Sequence, residues 1–250
     1  MHGNADIRDD DDRLVNSTLG FLAPESLSPC ATCPVRTTSF CDALIGGPAR
    51  DQPLTQYHQT AARREILFER DKSQVDKYVI CEGWALRFRR FEDGRRYILS
   101  FLIAGDLVAN LPGFSLQALT DIRFCKYARD EIMARIKQEP RVYDACTAHR
   151  VAERNGFAAR AAALAQFSAA GRIAQLIVSL RDRLDERGMV RNESFAFPLR
   201  QTHIADATGL TTVHVSRTIG AFRKDEILAI GNGNLTILNL AKLRRIAECS

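Results

Sequence analysis

The stretch Gln201-Thr-His-Ile-Ala205-Asp-Ala-Thr-Gly209-Leu210-Thr-Thr-Val-His-Val215-Ser216-Arg217 decides how the C-terminal part of the chain is built. A helix-turn-helix needs a small residue where its two helices cross, a glycine at the turn, and an apolar residue early in the second helix to lock the crossing angle. Ala205, Gly209 and Val215 occur at those spacings. Leu210, Val215, Ile219 and Phe222 then face a core, while Thr212, Val213, Ser216 and Arg217 fall on the opposite side of the second helix. A major groove receives that side.

Each exposed residue has its own chemistry there. The Arg217 guanidinium suits a bidentate contact to guanine, Ser216 a base edge or a phosphate, and Val213 a thymine methyl or another apolar edge. Thr211 is placed to cap the second helix. Thr202, His203, His214, Arg223 and Lys224 are candidates for phosphates, contacts that hold register without reading sequence. For the two histidines, plain exposed polarity is the preferred reading over a phosphate contact. Downstream, Ile227 to Ile230 and Leu235 to Leu238 flank Gly231-Asn232-Gly233-Asn234, a turn between two apolar runs. A hairpin after a helix-turn-helix makes a winged helix.

Upstream the period is also helical. Ser168 is a candidate N-cap, Ile173, Leu176, Ile177, Leu180 and Leu184 share one face, and Gly188 supplies a stop. Before it, Pro140 suits a first helical turn, and Val142, Ala145, His149, Ala152, Gly156, Ala159 and Ala163 recur at steps of three or four. Such a seam permits close approach of a second helix, and packing on the chain's own domain satisfies it as well.

From about residue 64 to 128 the pattern is that of short strands. Trp84, Leu86 and Phe88 alternate with Ala85, Arg87 and Arg89; Glu92-Asp93-Gly94 turns the chain; Tyr97, Leu99 and Phe101 then alternate with Ile98, Ser100 and Leu102. The expectation is an antiparallel hairpin in a small β domain, with Gly83, Gly94 and Gly105 at strand ends.

Composition limits the function classes. The chain has 250 residues, 46% of them hydrophobic, with 35 Lys plus Arg against 30 Asp plus Glu and seven Cys. That suits about two globular domains, and no run approaches the roughly 18 apolar residues of a membrane span. With no signal-peptide pattern at Met1-His2-Gly3-Asn4, a cytoplasmic protein is expected. An odd cysteine count argues against a disulfide framework and leaves metal, redox or buried thiols. No phosphate-binding glycine loop, Gly-x-Ser-x-Gly or His-Glu-x-x-His occurs, so an enzyme is not expected. The net charge of +5 selects no partner, although residues 196–250 carry seven basic against four acidic side chains. That balance is compatible with a polyanion.

A β domain, a linking helix and a C-terminal winged helix in this order resemble the Crp/Fnr superfamily of bacterial transcription regulators. The resemblance runs from about residue 28 and rests on Gly83-Trp84 with Asp93-Gly94-Arg95-Arg96, on Gly105-Asp106-Leu107, and on the Gln201 to Arg217 block. It implies an α+β fold with an N-terminal β-roll like that of cyclic-nucleotide-binding domains, a long dimerisation helix and a winged helix-turn-helix. The expected divisions are a disordered acidic tail over 1–27, a cysteine segment plus β-roll over 28–138, the dimerisation helix over 139–167 and the DNA-binding domain over 168–250. Double-stranded DNA with a palindromic operator, a second copy of the chain and RNA polymerase are the implied partners. Val213 stands where both the cyclic AMP and the oxygen branches place a Glu, so their operator half-site does not carry over.

Members similar to the cyclic AMP receptor hold the nucleotide with an Arg-Ser or Arg-Thr pair and a Glu. The corresponding stretch here, Leu107 to Ala118, has neither Arg nor Glu, and a buried phosphate without a counter-charge is strongly unfavourable. Cyclic AMP is therefore not the expected effector. The cysteines supply another signal: Cys30-x2-Cys33-x7-Cys41 precedes the β domain, and Cys125 sits where the oxygen-sensing Fnr branch keeps its distant fourth cysteine. By resemblance, Cys30, Cys33, Cys41 and Cys125 hold a [4Fe-4S] cluster whose conversion by oxygen releases the dimer. Zinc on the same thiolates, thiol redox chemistry, or a small-molecule effector are the alternatives. Cys81 reads as a small buried hydrophobe, as does Cys125 without a cluster, and Cys146 and Cys249 have no metal-ligand company.

Overall fold

The computed structural model describes residues 26–27, 33–38, 40–45, 56–68, 77–108 and 111–248. In chain order these form β1 (Ser26–Leu27), α1 (Phe40–Ile45), β2 (Gln56–Ala61), β3 (Ile66–Phe68), β4 (Lys77–Glu82), β5 (Trp84–Arg90), β6 (Arg96–Ile103), β7 (Leu107–Val108), β8 (Ser115–Ala118) and β9 (Ile122–Tyr127). The helices α2 (Arg129–Gln138), α3 (Pro140–Gln166) and α4 (Ala169–Asp185) follow. The chain ends with β10 (Ser194–Ala196), α5 (Gln201–Thr208), α6 (Thr212–Lys224), β11 (Leu228–Gly231), β12 (Asn234–Ile237) and α7 (Leu240–Glu248).

The N-terminal strands form two antiparallel sheets, ordered β1-β2-β9-β4-β7 and β3-β8-β5-β6. Strand alternation sends Tyr78, Ile80, Ile122 and Phe124 from one sheet, and Ala85, Leu102, Leu116 and Ala118 from the other, into one apolar interior. Leu116, Ala118 and Val108, all within the stretch that lacks Arg and Glu, are part of that filling. Ser26 and Leu27, the last two residues of the span read as a tail, instead pair with Tyr57 and His58 as an edge strand, because β2 otherwise presents open ladder groups there. Residues 1–25 lie outside the described residues.

The β5–β6 hairpin forms as its alternation predicts, with one change of phase. Phe88 pairs with Ile98 and Arg87 with Ser100, so Leu99 is an extra residue in β6. The bulge shifts the faces, and the buried residues of β6 become Ile98, Phe101, Leu102 and Ile103 in place of a strict Tyr97, Leu99, Phe101 series. Both faces of β5 are buried. Arg87, read from alternation as an outward polar residue, is 2% exposed and reaches Glu153 of α3 at 2.8 Å.

Burial on the second face follows from the C-terminal domain. Trp84, Leu86, Phe88, Ile98, Phe101 and Ile103 run into one continuous apolar cluster with Ile173, Ile177, Leu180, Ile204 and Val215. Arg96 of β6 also meets Asp206 of α5 at 2.7 Å. Helix α4 starts as expected: the Ser168 hydroxyl accepts from the Gly171 N–H at 3.1 Å, and Gly188 takes φ +67° beyond the C-terminus. Its apolar face packs on α7, which is amphipathic. The Asn232-Gly233 turn joins β11 to β12 with both residues at positive φ, which matches the twist of a tight hairpin. Sequence periodicity missed β10, which completes this sheet in the order β10-β12-β11. Helix α3 has 27 residues yet buries only Val142 and Ala163. The middle of its small-residue seam, Ala152, Gly156 and Ala159, is exposed in the single chain. Among the described residues, no helix is long and apolar enough to cross a membrane.

Candidate nucleic-acid interface and cysteine cluster

Helix α5 ends at Gly209, whose φ of +65° puts it in the left-handed region; glycine adopts this without steric cost. The chain then enters α6 through Thr211, whose hydroxyl accepts from the His214 N–H at 3.3 Å. Val215, Ile219 and Phe222 anchor α6 to the core, with Ala205 buried on α5 and Leu210 packed at the edge.

Orientation of the other residues follows from that anchoring. Thr212, Val213, His214, Ser216 and Arg217 are exposed, Val213 at 56% despite its apolar side chain. The stripe continues through Gly220, where an added Cβ would meet nothing within 4 Å. Among the described residues no packing constraint explains a glycine there, and sequence reading missed it. Arg223 and Lys224 are exposed in the last turn of α6, about 18 Å along the axis from Thr212 at 1.5 Å per residue. Thr202 is half-buried in the first turn of α5. His203 overturns its expectation as a phosphate ligand: it is 8% exposed, and its Nδ1 accepts from the Arg200 N–H at 3.1 Å. At the third position of the helix it acts as part of a cap, a local use that the sequence does not separate from surface polarity.

The described cysteines meet on the outer face of the five-stranded sheet. Val79 and Cys81 of β4 and Cys125 and Tyr127 of β9 point away from the β-roll interior, where Phe40, Cys41 and Leu44 of α1, Ile132 of α2 and Val142 of α3 cover them. Cys33 packs at the edge of this cluster, as do Ala145 and Cys146 of α3. Cys33 is set by a turn in which its carbonyl accepts from the Arg36 N–H at 3.2 Å, with Pro34 at the position a turn favours. The Cys41 sulfur lies 3.6 Å from the Tyr127 hydroxyl, and Arg141 of α3 donates to the Asp42 carbonyl at 2.9 Å.

Cys33, Cys41 and Cys125 are thus gathered on one apolar cluster; Cys30 and Cys249 lie outside the described residues. An all-thiolate set in an apolar surround suits an iron–sulfur centre. Two further cysteines belong to the same cluster. The Cys81 sulfur is 3.1 Å from that of Cys125, with His58 beside both, and Cys146 packs against the group. Burial, and then the nearby Arg123 cation, hold His58 below its ordinary pKa. Sequence spacing gives no sign of these neighbours, because strand register and a helix crossing create them.

Residues 171–246 match the Crp-like helix-turn-helix domain. Over 233 residues the chain is 28% identical to the transcriptional activatory protein AadR of Rhodopseudomonas palustris, covering 87% of this chain and 93% of that protein. The C-terminal domain is thus a Crp-like helix-turn-helix, and along most of its length the chain is similar to regulators of the Crp/Fnr superfamily, in its Fnr-type branch. Another relative, the nitrogen fixation regulation protein FixK of Bradyrhizobium diazoefficiens, is 25% identical over 223 residues, covering 87% of this chain and 93% of that one. The structure of FixK2 from Bradyrhizobium japonicum shares the fold with a TM-score of 0.70 at 20% identity, covering 79% of this chain and all of that one. The protein is a transcription regulator of Crp/Fnr type and not an enzyme, with DNA as the partner of its helix-turn-helix.

Proposed function

We propose that this regulator acts as a homodimer that reads a palindromic operator with α6, engages RNA polymerase there, and responds to oxygen or redox state through its cysteine cluster. In this reading Cys30, Cys33, Cys41 and Cys125 hold an iron–sulfur cluster that controls dimerisation and operator binding. When bound, the cluster supplies an oxygen-labile tie between thiolates.

One observation carries the reading: Cys41 and Cys125 share an apolar cluster with Val142 at the start of α3, with Ala145 and Cys146 packed against it. A change in how α1 sits therefore acts on the N-terminal turns of α3, and the Arg141 bond to the Asp42 carbonyl ties the two helices directly. The rest of α3 offers Ala152, Gly156 and Ala159 to a second copy, and small residues permit the close approach of a helix pair. Beyond α3 come α4 and the helix-turn-helix, so the dimer seam also sets the spacing of two α6 helices. That spacing must match two half-sites about one DNA turn apart.

Anaerobic purification with iron, sulfide and zinc analysis tests the reading, together with size-exclusion chromatography and operator binding before and after air. About four iron and four sulfide per chain, lost in air together with the dimer, is the expected result. Cys33→Ser should abolish the iron content. An iron-free chain that dimerises and binds DNA equally in both conditions overturns it. A second reading keeps the same DNA-binding regulator with zinc, thiol redox or a small-molecule effector in place of the cluster. The 3.1 Å approach of Cys81 to Cys125 favours its thiol and zinc forms.

A further inference from the structure

Cys125 lies in the middle of a set of donors that the N-terminal cysteines do not complete. In β9 it pairs directly with His58 of β2 on one side and with Val79 of β4 on the other. After Ile80 pairs with Phe124 the β4–β9 register shifts, and the next matched pair is Glu82 with Arg123. Cys81 is the extra residue at that irregularity. Its sulfur comes to 3.1 Å from that of Cys125. One ring nitrogen of His58 and the two sulfurs all lie within 4.8 Å of one another. Both thiols are 1% exposed, and His58 is half-buried, with Val79, Leu107 and Tyr127 among the apolar walls.

We propose that His58, Cys81 and Cys125 form a mononuclear site for a soft transition-metal ion of the zinc or copper(I) class. Two thiolates and an imidazole are the donors such ions select, in preference to the oxygen sets that magnesium and calcium take. With a metal–sulfur bond of about 2.3 Å, two tetrahedral sulfur ligands stand about 3.8 Å apart. The observed sulfur separation is below that value and the 4.8 Å limit above it, so small side-chain rotations complete the geometry. Binding replaces two S–H protons with the ion, and both protons leave to solvent. Cys125 has one thiolate to give, so the site fills when that thiolate is not held by the iron–sulfur cluster proposed above, and it needs no cluster to exist. An ion there ties β2, β4 and β9 together beneath α1 and the start of α3.

The test uses the full chain purified in air, stripped of metal with chelator and reductant, then titrated with Zn2+ and separately with Co2+. About one Zn2+ per chain is expected. The Co2+ form should show thiolate charge-transfer absorption. Even outer partners of a bound metal are worth about 10–100-fold in affinity, so Cys81→Ser and the milder His58→Gln should each weaken binding at least tenfold. Cys146→Ser should leave it unchanged. Circular dichroism and retained DNA binding show that each variant is folded. Retention of zinc in both Cys81→Ser and His58→Gln, with loss in Cys33→Ser or Cys41→Ser, assigns the ion to the N-terminal thiolates and overturns the site. So does a folded, reduced chain that takes up no zinc. Iron and sulfide in the anaerobic protein are measured separately, so failure of the cluster reading leaves this result standing.

Discussion

Asp106 of the β-roll and Arg187 beyond the end of α4 meet carboxylate to guanidinium at 2.6 Å. Arg183 closes the other carboxylate oxygen at 2.5 Å, and the Ile103 N–H donates to the same carboxylate at 2.8 Å. The two arginines also donate to the Phe101 and Ala104 carbonyls. A turn of the β-roll is thus tied to the base of the DNA-binding domain by a buried anion with its bonds satisfied. Asp106 belongs to the Gly105-Asp106-Leu107 motif, so this contact gives the motif a structural role.

Stability should depend on pH through Asp106. Burial by itself raises this carboxyl, but Arg183, Arg187 and the Ile103 N–H outweigh it and bring the pKa down to about 2. The unfolded value is about 3.9, so the contribution is fully present above about pH 5 and is lost as pH falls through about 4 toward 2, about 2.5 kcal/mol in all. Removing one partner of a buried pair costs about 3 kcal/mol. Urea unfolding of Asp106→Asn should therefore show that loss at pH 7 and a flatter profile between pH 4 and 2. A wild-type profile in the variant would show that the carboxylate contributes nothing.

Gly83 is needed by its surroundings as well as by its backbone. Its φ is +89°, and an added Cβ would stand 2.3 Å from the Asp121 carbonyl oxygen. Gly83→Ala must move backbone, so a loss of at least about 2 kcal/mol is expected. Thermal unfolding measures it, and an unchanged midpoint would mean that the β4–β5 junction is looser than described.

Arg217 stands exposed on α6 four residues after Val213. A lost base contact is worth about 1–3 kcal/mol of discrimination. Arg217→Ala is expected to abolish specific operator binding while the dimer persists in size-exclusion chromatography. Unchanged preference for operator over random DNA in a mobility-shift assay would remove α6 as the reading helix.

Gly220 separates packing from recognition. With open space around its Cα, Gly220→Ala should stabilise the chain by up to about 1 kcal/mol through helix propensity. If the bare backbone approaches DNA, the same methyl should weaken operator binding. Higher stability with unaltered affinity would show that this turn of α6 stands clear of the duplex.

Legibility in the sequence followed the range of the interactions. Ser168, Gly188, Gly209 and Thr211 act within a turn of their own position, so caps and stops were readable and are found in place. The faces of α4 and α6 were readable for the same reason, since a helical period fixes which residues face one way. His203 was misread because a cap and a surface contact call for the same polar residue. Leu99 was misplaced because one bulge reverses the alternation of everything beyond it.

The sequence by itself determined the winged helix-turn-helix, the β5–β6 hairpin and the long helix after Pro140. Only the tertiary structure decided that Arg87 is buried against Glu153, that the second face of β5 is closed by the C-terminal domain, and that Cys81 and His58 stand beside Cys125. The first group follows from chemistry repeated at a local period. The second depends on which strands pair, in which register, and on which domain covers them, choices set by burial across tens of residues and carried by no single stretch of chain.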